Sequence, residues 1–203
     1  SEKEKEELKK LEPNLSDNVI CALYAPTAGI VCPYNLAIAA VGNAMDNGAE
    51  LMCNFEVTGI EEADGGYKLS SADDSVNARY VINCAGIYSD KVAGMIGDNS
   101  FDVHPRRGEY ILLDKECGDT VSCTIFRTPS KMGILVTPTV HGNLLLGPTS
   151  FDISDKSDKD TTKEGFAEIL KNTHETVSGV QLQKTITSFC GLRSVGNTGD
   201  FII

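Results

Sequence analysis

The chain has 203 residues, 41% of them hydrophobic, enough to bury a sizeable core in one or two domains and to exclude wholesale disorder. Its 18 basic and 29 acidic residues leave a net charge of −11, a field that repels phosphate backbones and anionic membrane surfaces, so nucleic acid is set aside as a partner. No run approaches the roughly 18 consecutive apolar residues of a membrane span, and the polar start SEKEKEELKK is unlike a signal peptide, so the expectation is a cytoplasmic chain with no transmembrane segment.

Glu2 to Leu11 predicts a charged helix with little apolar surface to dock, stopped by Pro13. Val19 to Val31 has strand character broken by Pro26 and Gly29, which fits two short strands or a strand and a turn. Asn35 to Asn47 carries Leu36, Ala40, Val41, Ala44 and Met45 at helical spacing, with Pro33 near the start and Gly48 placed to end it. From Leu51 the period becomes two: Leu51, Cys53, Phe55 and Val57 predict a strand with unlike faces. Asp64-Gly65-Gly66 predicts a hairpin turn, Tyr67 to Ser70 its return, and Val76, Ala78, Tyr80, Ile82 and Cys84 one face of the following strand. That strand runs into Ala85-Gly86, beyond which Ser89 is placed to cap a helix with Val92, Ala93, Met95 and Ile96 inward.

After residue 100 the short apolar runs EYILLD, TIFRT, GILVTP and NLLLGPT, separated by turn residues, predict an antiparallel sheet, with a domain change near Asn99. Phe151 to Asp160 reads as a polar loop. Thr161 and Glu164 form a capping-box pattern for a helix burying Phe166, Ile169 and Leu170. Gln181 to Cys190 predicts a further strand leading into GLRSVGNTGDFII. Those last residues read as a strand just beginning, and the chain is expected to be an internal piece of a longer protein.

Seven cysteines scattered singly, with no C-x-x-C pair, predict buried free thiols in a reducing compartment, and three histidines far apart in sequence predict no metal site. The unit from Tyr80 to Gly97 places a glycine at the end of a strand, where backbone can approach a phosphate or sugar; a tight structural connection is the alternative. No G-x-G-x-x-G and no G-x-x-x-x-G-K-[ST] occurs, so the sequence contains no pyrophosphate cradle of either type. In HPRRGEYILL, two arginines offer planar donor forks to a carboxylate or phosphate, or else an ion pair to Glu109 or Glu116. Arg193, in a segment nearly free of charge, needs an anion if buried, either a ligand or Asp200. With no G-x-S-x-G, Cys84 reads as an inert buried thiol and His141 as a residue of a hairpin tip.

Seven stretches carry a family resemblance: LEPNLSDNV, PTAGIVCPYNLAIAAVGNAMDNGAEL, NFEVTGIE, YVINCAGIYSDKVAGMIG, HPRRGEYILLD, GILVTPTVHGNLLLGPT and FCGLRSVGNTGDFII. In this order they resemble the FAD-dependent oxidoreductases of the D-amino-acid oxidase and glycerol-3-phosphate dehydrogenase superfamily, over nearly the whole chain. The resemblance implies FAD as cofactor. It assigns the backbone of Val57 to the adenine, and Cys84, Ala85 and Gly86 to the turn approaching the pyrophosphate and ribityl chain. Arg193 is assigned to the flavin face and the anionic end of the substrate, and Arg107 and Tyr110 to the R-G-E-Y segment bordering the same cavity. The implied fold is α+β, cut from an α/β parent. Residues 1–99 are expected to form a partial, Rossmann-like FAD-binding portion, 100–190 an antiparallel substrate-binding domain, and 191–203 a return segment. The family's dinucleotide fingerprint and ribose-binding acid match nothing in this sequence, so FAD binding by these residues alone is expected to be weak or absent. The implied reaction is hydride transfer from a small anionic 2-hydroxy compound to flavin, with glycerol 3-phosphate ahead of L-2-hydroxyglutarate. Oxidation of an amino acid or amine, and a cofactor-free binding module, are the alternatives.

Overall fold

The computed structural model describes residues 2–127 and 133–202. Strand β1 (Glu2–Glu4) pairs antiparallel with β2 (Cys21–Leu23), and helix α1 (Lys5–Leu11) follows β1 directly. The first helix therefore starts later than its charge pattern predicts, and it docks: Leu8 is buried in the same cluster as Leu15 and Val177. The Glu12 carboxylate at its end accepts the N–H groups of Ser122 and Cys123 and the Ser122 hydroxyl, so a buried charge ties residues far apart in sequence. Helix α2 (Pro33–Asp46) begins on the proline that presets its φ and stops before Gly48. None of its residues is buried, so Leu36, Val41 and Met45 do not form the packed face that their spacing predicts.

Leu51 to Val57 is not a strand. A turn at Cys53-Asn54 interrupts it, with Asn54 in the left-handed region at φ 59°, a conformation asparagine tolerates better than most side chains. The first strand of the hairpin is instead β3 (Gly59–Ala63), which pairs with β4 (Gly66–Ser70) across Asp64-Gly65, and β5 (Ser75–Ala78) completes an antiparallel three-stranded sheet. The strand predicted to reach Cys84 ends at Ala78. Residues 79–85 pair with no other strand among the described residues, and Tyr80 and Ile82 are 84% and 86% exposed. A short 3-10 turn (Gly86–Tyr88) leads into α3 (Ser89–Gly94). Ser89 is the first residue of that helix rather than its cap, and its hydroxyl donates backwards to the Gly86 carbonyl.

The larger sheet contains β6 (Val103–Leu113), β7 (Ile125–Phe126), β8 (Leu135–Pro138), β9 (Leu144–Gly147) and β10 (Phe151–Asp152) in the order β10-β6-β9-β8-β7, with β11 (Thr185–Gly196) also pairing β6. The antiparallel pairs set the half-buried Leu112 opposite the half-buried Leu145 and the buried Val136 opposite the buried Leu146, the alternation of faces a strand imposes on a continuous apolar run. Helix α4 (Lys163–Thr176) buries Ile169, but Phe166 is exposed and Leu170 only partly covered. Its cap is Thr162, whose hydroxyl accepts the Gly165 N–H, one residue on from the expected pair. The chain divides into two compact units. The first comprises Ser1–Leu36, Arg107–Phe151 and Asp158–Gly191, and the second Ala37–Arg106, Asp152–Ser157 and Leu192–Ile203. Ile111, Leu113, Val136, Leu144, Leu146, Ile169 and Val177 form the dry centre of the first. The second buries few apolar side chains, Ile60, Ala93 and Val103 among them.

Candidate functional site

In the second unit, extended chain arrives at Ala85 and turns at Gly86, whose φ of 59° glycine adopts without the steric cost a Cβ imposes. The bend is held by side chains. Asn83 Oδ1 accepts the Ala85 N–H at 3.2 Å, and Asn83 Nδ2 donates to the Ser89 carbonyl at 2.9 Å. One residue further, the Asp90 carboxylate receives the Lys91 N–H at 2.8 Å, the Val103 N–H at 3.2 Å and the Lys156 ammonium at 2.6 and 2.7 Å. Burial works to raise the Asp90 carboxyl, but Lys156 and the two N–H groups outweigh it and hold it below the usual carboxylate value.

The turn forms one wall of a cavity of about 500 Å³, shared with Val57, Ile60, Val92 and Met95. Three of the four residues assigned to the cofactor, Val57, Cys84 and Ala85, thus line one space. The fourth, Gly86, opens on a neighbouring cavity of about 840 Å³ with Ser194 and Gly196. A Cβ built on Gly86 would lie 3.7 Å from Ser194 Oγ, so the turn and the far end of β11 are in van der Waals range. Arg193 immediately precedes Ser194, exposed, and strand alternation sets it on the opposite face of β11. Cys84 is likewise exposed, and only Cys117 among the seven cysteines is buried, contrary to the expectation of buried thiols.

Arg107 and Tyr110 belong to the first unit, on β6. The period of two places Arg107, Glu109, Ile111 and Leu113 on one face and Tyr110 on the other, and the alternating burial agrees. Tyr110 stacks on Phe189 with ring centroids 5.1 Å apart. Arg107 is 8% exposed and its guanidinium bonds Asp158 rather than Glu109 or Glu116, while Arg106, in the second unit, pairs with Asp152. Glu109 is buried and accepts the Thr162 N–H at 2.8 Å and the Thr162 hydroxyl at 2.9 Å, a carboxylate set at the positive end of α4. Burial pushes the neighbouring Cys190 thiol above its ordinary value, with Arg107 working the other way, which keeps it protonated and a poor nucleophile. His141 is exposed in the turn between β8 and β9, as expected.

Sequence reasoning missed Asp90, Lys156 and Asp158, and read Glu109 only as a partner for arginine. The available signal was general: an acid inside an apolar strand such as EYILL must be satisfied by something. Among the described residues no cluster of His, Cys, Asp and Glu could hold a metal ion, and no helix is long and apolar enough to cross a membrane.

The chain is thus α+β, with an antiparallel sheet and a glycine turn set between two cavities. It superimposes with a TM-score of 0.89 on the FAD-bound L-α-glycerophosphate oxidase of Mycoplasma pneumoniae, at 27% identity, over 100% of this chain and 55% of that one. The chain belongs to the DAO family of FAD dependent oxidoreductases, whose model matches residues 3–203. It is 45% identical over 201 residues to a glycerol 3-phosphate dehydrogenase of Caloramator mitchellensis, covering 98% of this chain and 42% of the relative. It is 31% identical over 164 residues to the mitochondrial L-2-hydroxyglutarate dehydrogenase of Mus musculus, covering 72% and 35%. The chain therefore spans about half the length, or less, of these relatives.

FAD is the group this family implies, and the residues present fit part of it. The cavity beside Val57 and Ala85 is apolar on most of its wall, as a flat aromatic ring needs, and Gly86 leaves backbone open for close approach.

Proposed function

We propose that the whole protein is an FAD-dependent dehydrogenase or oxidase that takes hydride from a small anionic 2-hydroxy compound, glycerol 3-phosphate ahead of L-2-hydroxyglutarate. The observation that supports the reading is the approach of the Gly86 turn to Ser194, the residue next to Arg193 on β11. The substrate order rests on the relatives: 45% identity to a glycerol 3-phosphate dehydrogenase against 31% to an L-2-hydroxyglutarate dehydrogenase.

FAD, when bound, supplies the acceptor for the two electrons leaving the carbinol carbon. The chain's own residues bind and orient. Val57 is assigned to the adenine through its backbone, and Cys84, Ala85 and Gly86 to the pyrophosphate and ribityl chain, where the absence of a side chain at Gly86 lets main-chain atoms come close. Arg193 is assigned to the phosphate or carboxylate of the substrate, which its planar donor fork matches by charge-assisted hydrogen bonds. Holding that anion fixes the carbinol carbon in reach of its acceptor, and orientation of this kind is worth several decades of rate. Tyr110 and Arg107 are assigned to the substrate side, Tyr110 through its stacked ring and Arg107 through its pair with Asp158. Residues 1–99 and 191–203 are assigned to the FAD side and 100–190 to substrate binding, in a cytoplasmic protein.

The test is anaerobic mixing of the full-length protein with each candidate substrate while flavin absorbance is followed. Bleaching by glycerol 3-phosphate supports the reading, and bleaching by L-2-hydroxyglutarate alone reverses the substrate order. A flavin that answers only to amino acids or amines, or a colourless protein, overturns it.

A further inference from the structure

The stretch Tyr80 to Ala85 has no strand partner among the described residues, so no ladder of backbone hydrogen bonds fixes the arm leading into the turn. Besides Asn83, a second support for the bend lies on its helical side and comes from the polar loop FDISDKSDKD. Lys156 places its ammonium against both oxygens of Asp90, and both side chains are mostly buried, at 16% and 12% exposure. The same ammonium lies 5.8 Å from the centre of the Tyr88 ring, and the Tyr88 hydroxyl donates to the Lys156 carbonyl at 3.4 Å. Tyr88 closes the 3-10 turn that begins at Gly86, and Asp90 stands in the first turn of α3. One lysine thereby grips the two residues that continue the bend, and Asp90 passes the constraint on to the Val103 N–H at the start of β6.

We infer that Lys156 and Asp90 are positioning residues for the cofactor-facing turn, setting the Cys84-Ala85-Gly86 backbone at the place from which it meets FAD. This rests on the reading of the turn given above. The physical reason is that a mostly buried carboxylate that loses its cation keeps its desolvation cost and must move toward water. Asp90 moving outward drags the first turn of α3, and with it the Gly86 bend, because the Asn83–Ser89 and Ser89–Gly86 bonds make turn and helix start one body. Neither side chain lines either cavity at the turn, so the effect on cofactor runs through the backbone.

The experiment measures the dissociation constant for FAD of full-length apoprotein, by quenching of flavin fluorescence, at a temperature well below unfolding. Lys156→Met is expected to weaken FAD binding about tenfold, Asp90→Asn similarly, and Lys156→Arg, which keeps the charge, to restore most of it. Leu146→Ala, which opens a cavity in the dry centre of the first unit, serves as a control that lowers stability without moving the FAD constant. Lys156→Gln, which keeps a donor for the Asp90 carboxylate but loses the charge, provides a mild variant if Lys156→Met does not fold, with an expected weakening of two- to threefold. Equal FAD affinity in wild type and Lys156→Met, or loss in Leu146→Ala as large as in Lys156→Met, overturns the inference. A wild-type apoprotein that takes up no FAD overturns the functional reading instead, so the two failures are distinguishable.

Discussion

Gly165 sits in the first turn of α4, where helix propensity alone makes Gly165→Ala favourable by up to about 1 kcal/mol. The packing argues the opposite. A Cβ at this position would lie 2.5 Å from Glu109 Cδ and 2.7 Å from Glu109 Oε1, well inside contact distance. The far end of a glutamate ordinarily swings away at little cost, but this one is 2% exposed and bound to the Thr162 N–H and hydroxyl. Moving it breaks two hydrogen bonds to a charged group, each worth about 1.5–3 kcal/mol. After subtracting the helix gain, Gly165→Ala is expected to destabilise by about 2–5 kcal/mol. Urea unfolding of the full-length protein followed by far-ultraviolet circular dichroism reads this as a lower midpoint. In a Glu109→Ala background the clash disappears and the same alanine becomes neutral or slightly stabilising. A single variant as stable as wild type, or a penalty that persists without Glu109, refutes the reasoning.

Arg193→Ala in the full-length enzyme is expected to raise the KM for an anionic substrate by about ten- to a hundredfold, with a smaller effect on an uncharged analogue, in steady-state assays. An unchanged KM would make Arg193 structural. Gly86→Ala imposes a strained left-handed conformation of about 1–2 kcal/mol at the bend, and is expected to weaken FAD binding in fluorescence titration. Asp90, held below its ordinary carboxylate value, contributes stability that is fully present above the unfolded-state pKa and is lost as pH falls through the lower folded value. Melting temperatures of wild type and Asp90→Asn are therefore expected to differ at neutral pH and converge in acid, and a constant difference would contradict the assignment.

The antiparallel sheet and α4 were legible because each side chain's face is set by its immediate neighbours. EYILL and NLLLG are short continuous apolar runs bounded by turn residues, and the structure pairs them through Leu112 and Leu145. Leu51 to Val57 and Tyr80 to Cys84 alternate yet form no ladder, because a period of two records which way side chains point and not whether a partner strand lies alongside. The turn at Ala85-Gly86 was visible from composition. What supports it was not: Lys156 stands 66 residues from Asp90, and Thr162 stands 53 from Glu109. Sequence gave Arg107 a choice of local acids, and the actual partner, Asp158, comes from a loop that reads only as polar. Cys84 was expected to be buried because free thiols usually are, whereas a residue on an unpaired arm is exposed whatever its chemistry.

The most direct measurement is a crystal structure of the full-length protein with FAD and a non-reactive phosphate-bearing analogue of the substrate. The account predicts Gly86 main-chain atoms within about 4 Å of the cofactor, and the Arg193 guanidinium in hydrogen-bond contact with the analogue's phosphate. A cofactor seated away from Gly86, or an Arg193 turned to a surface that meets neither ligand, would contradict it.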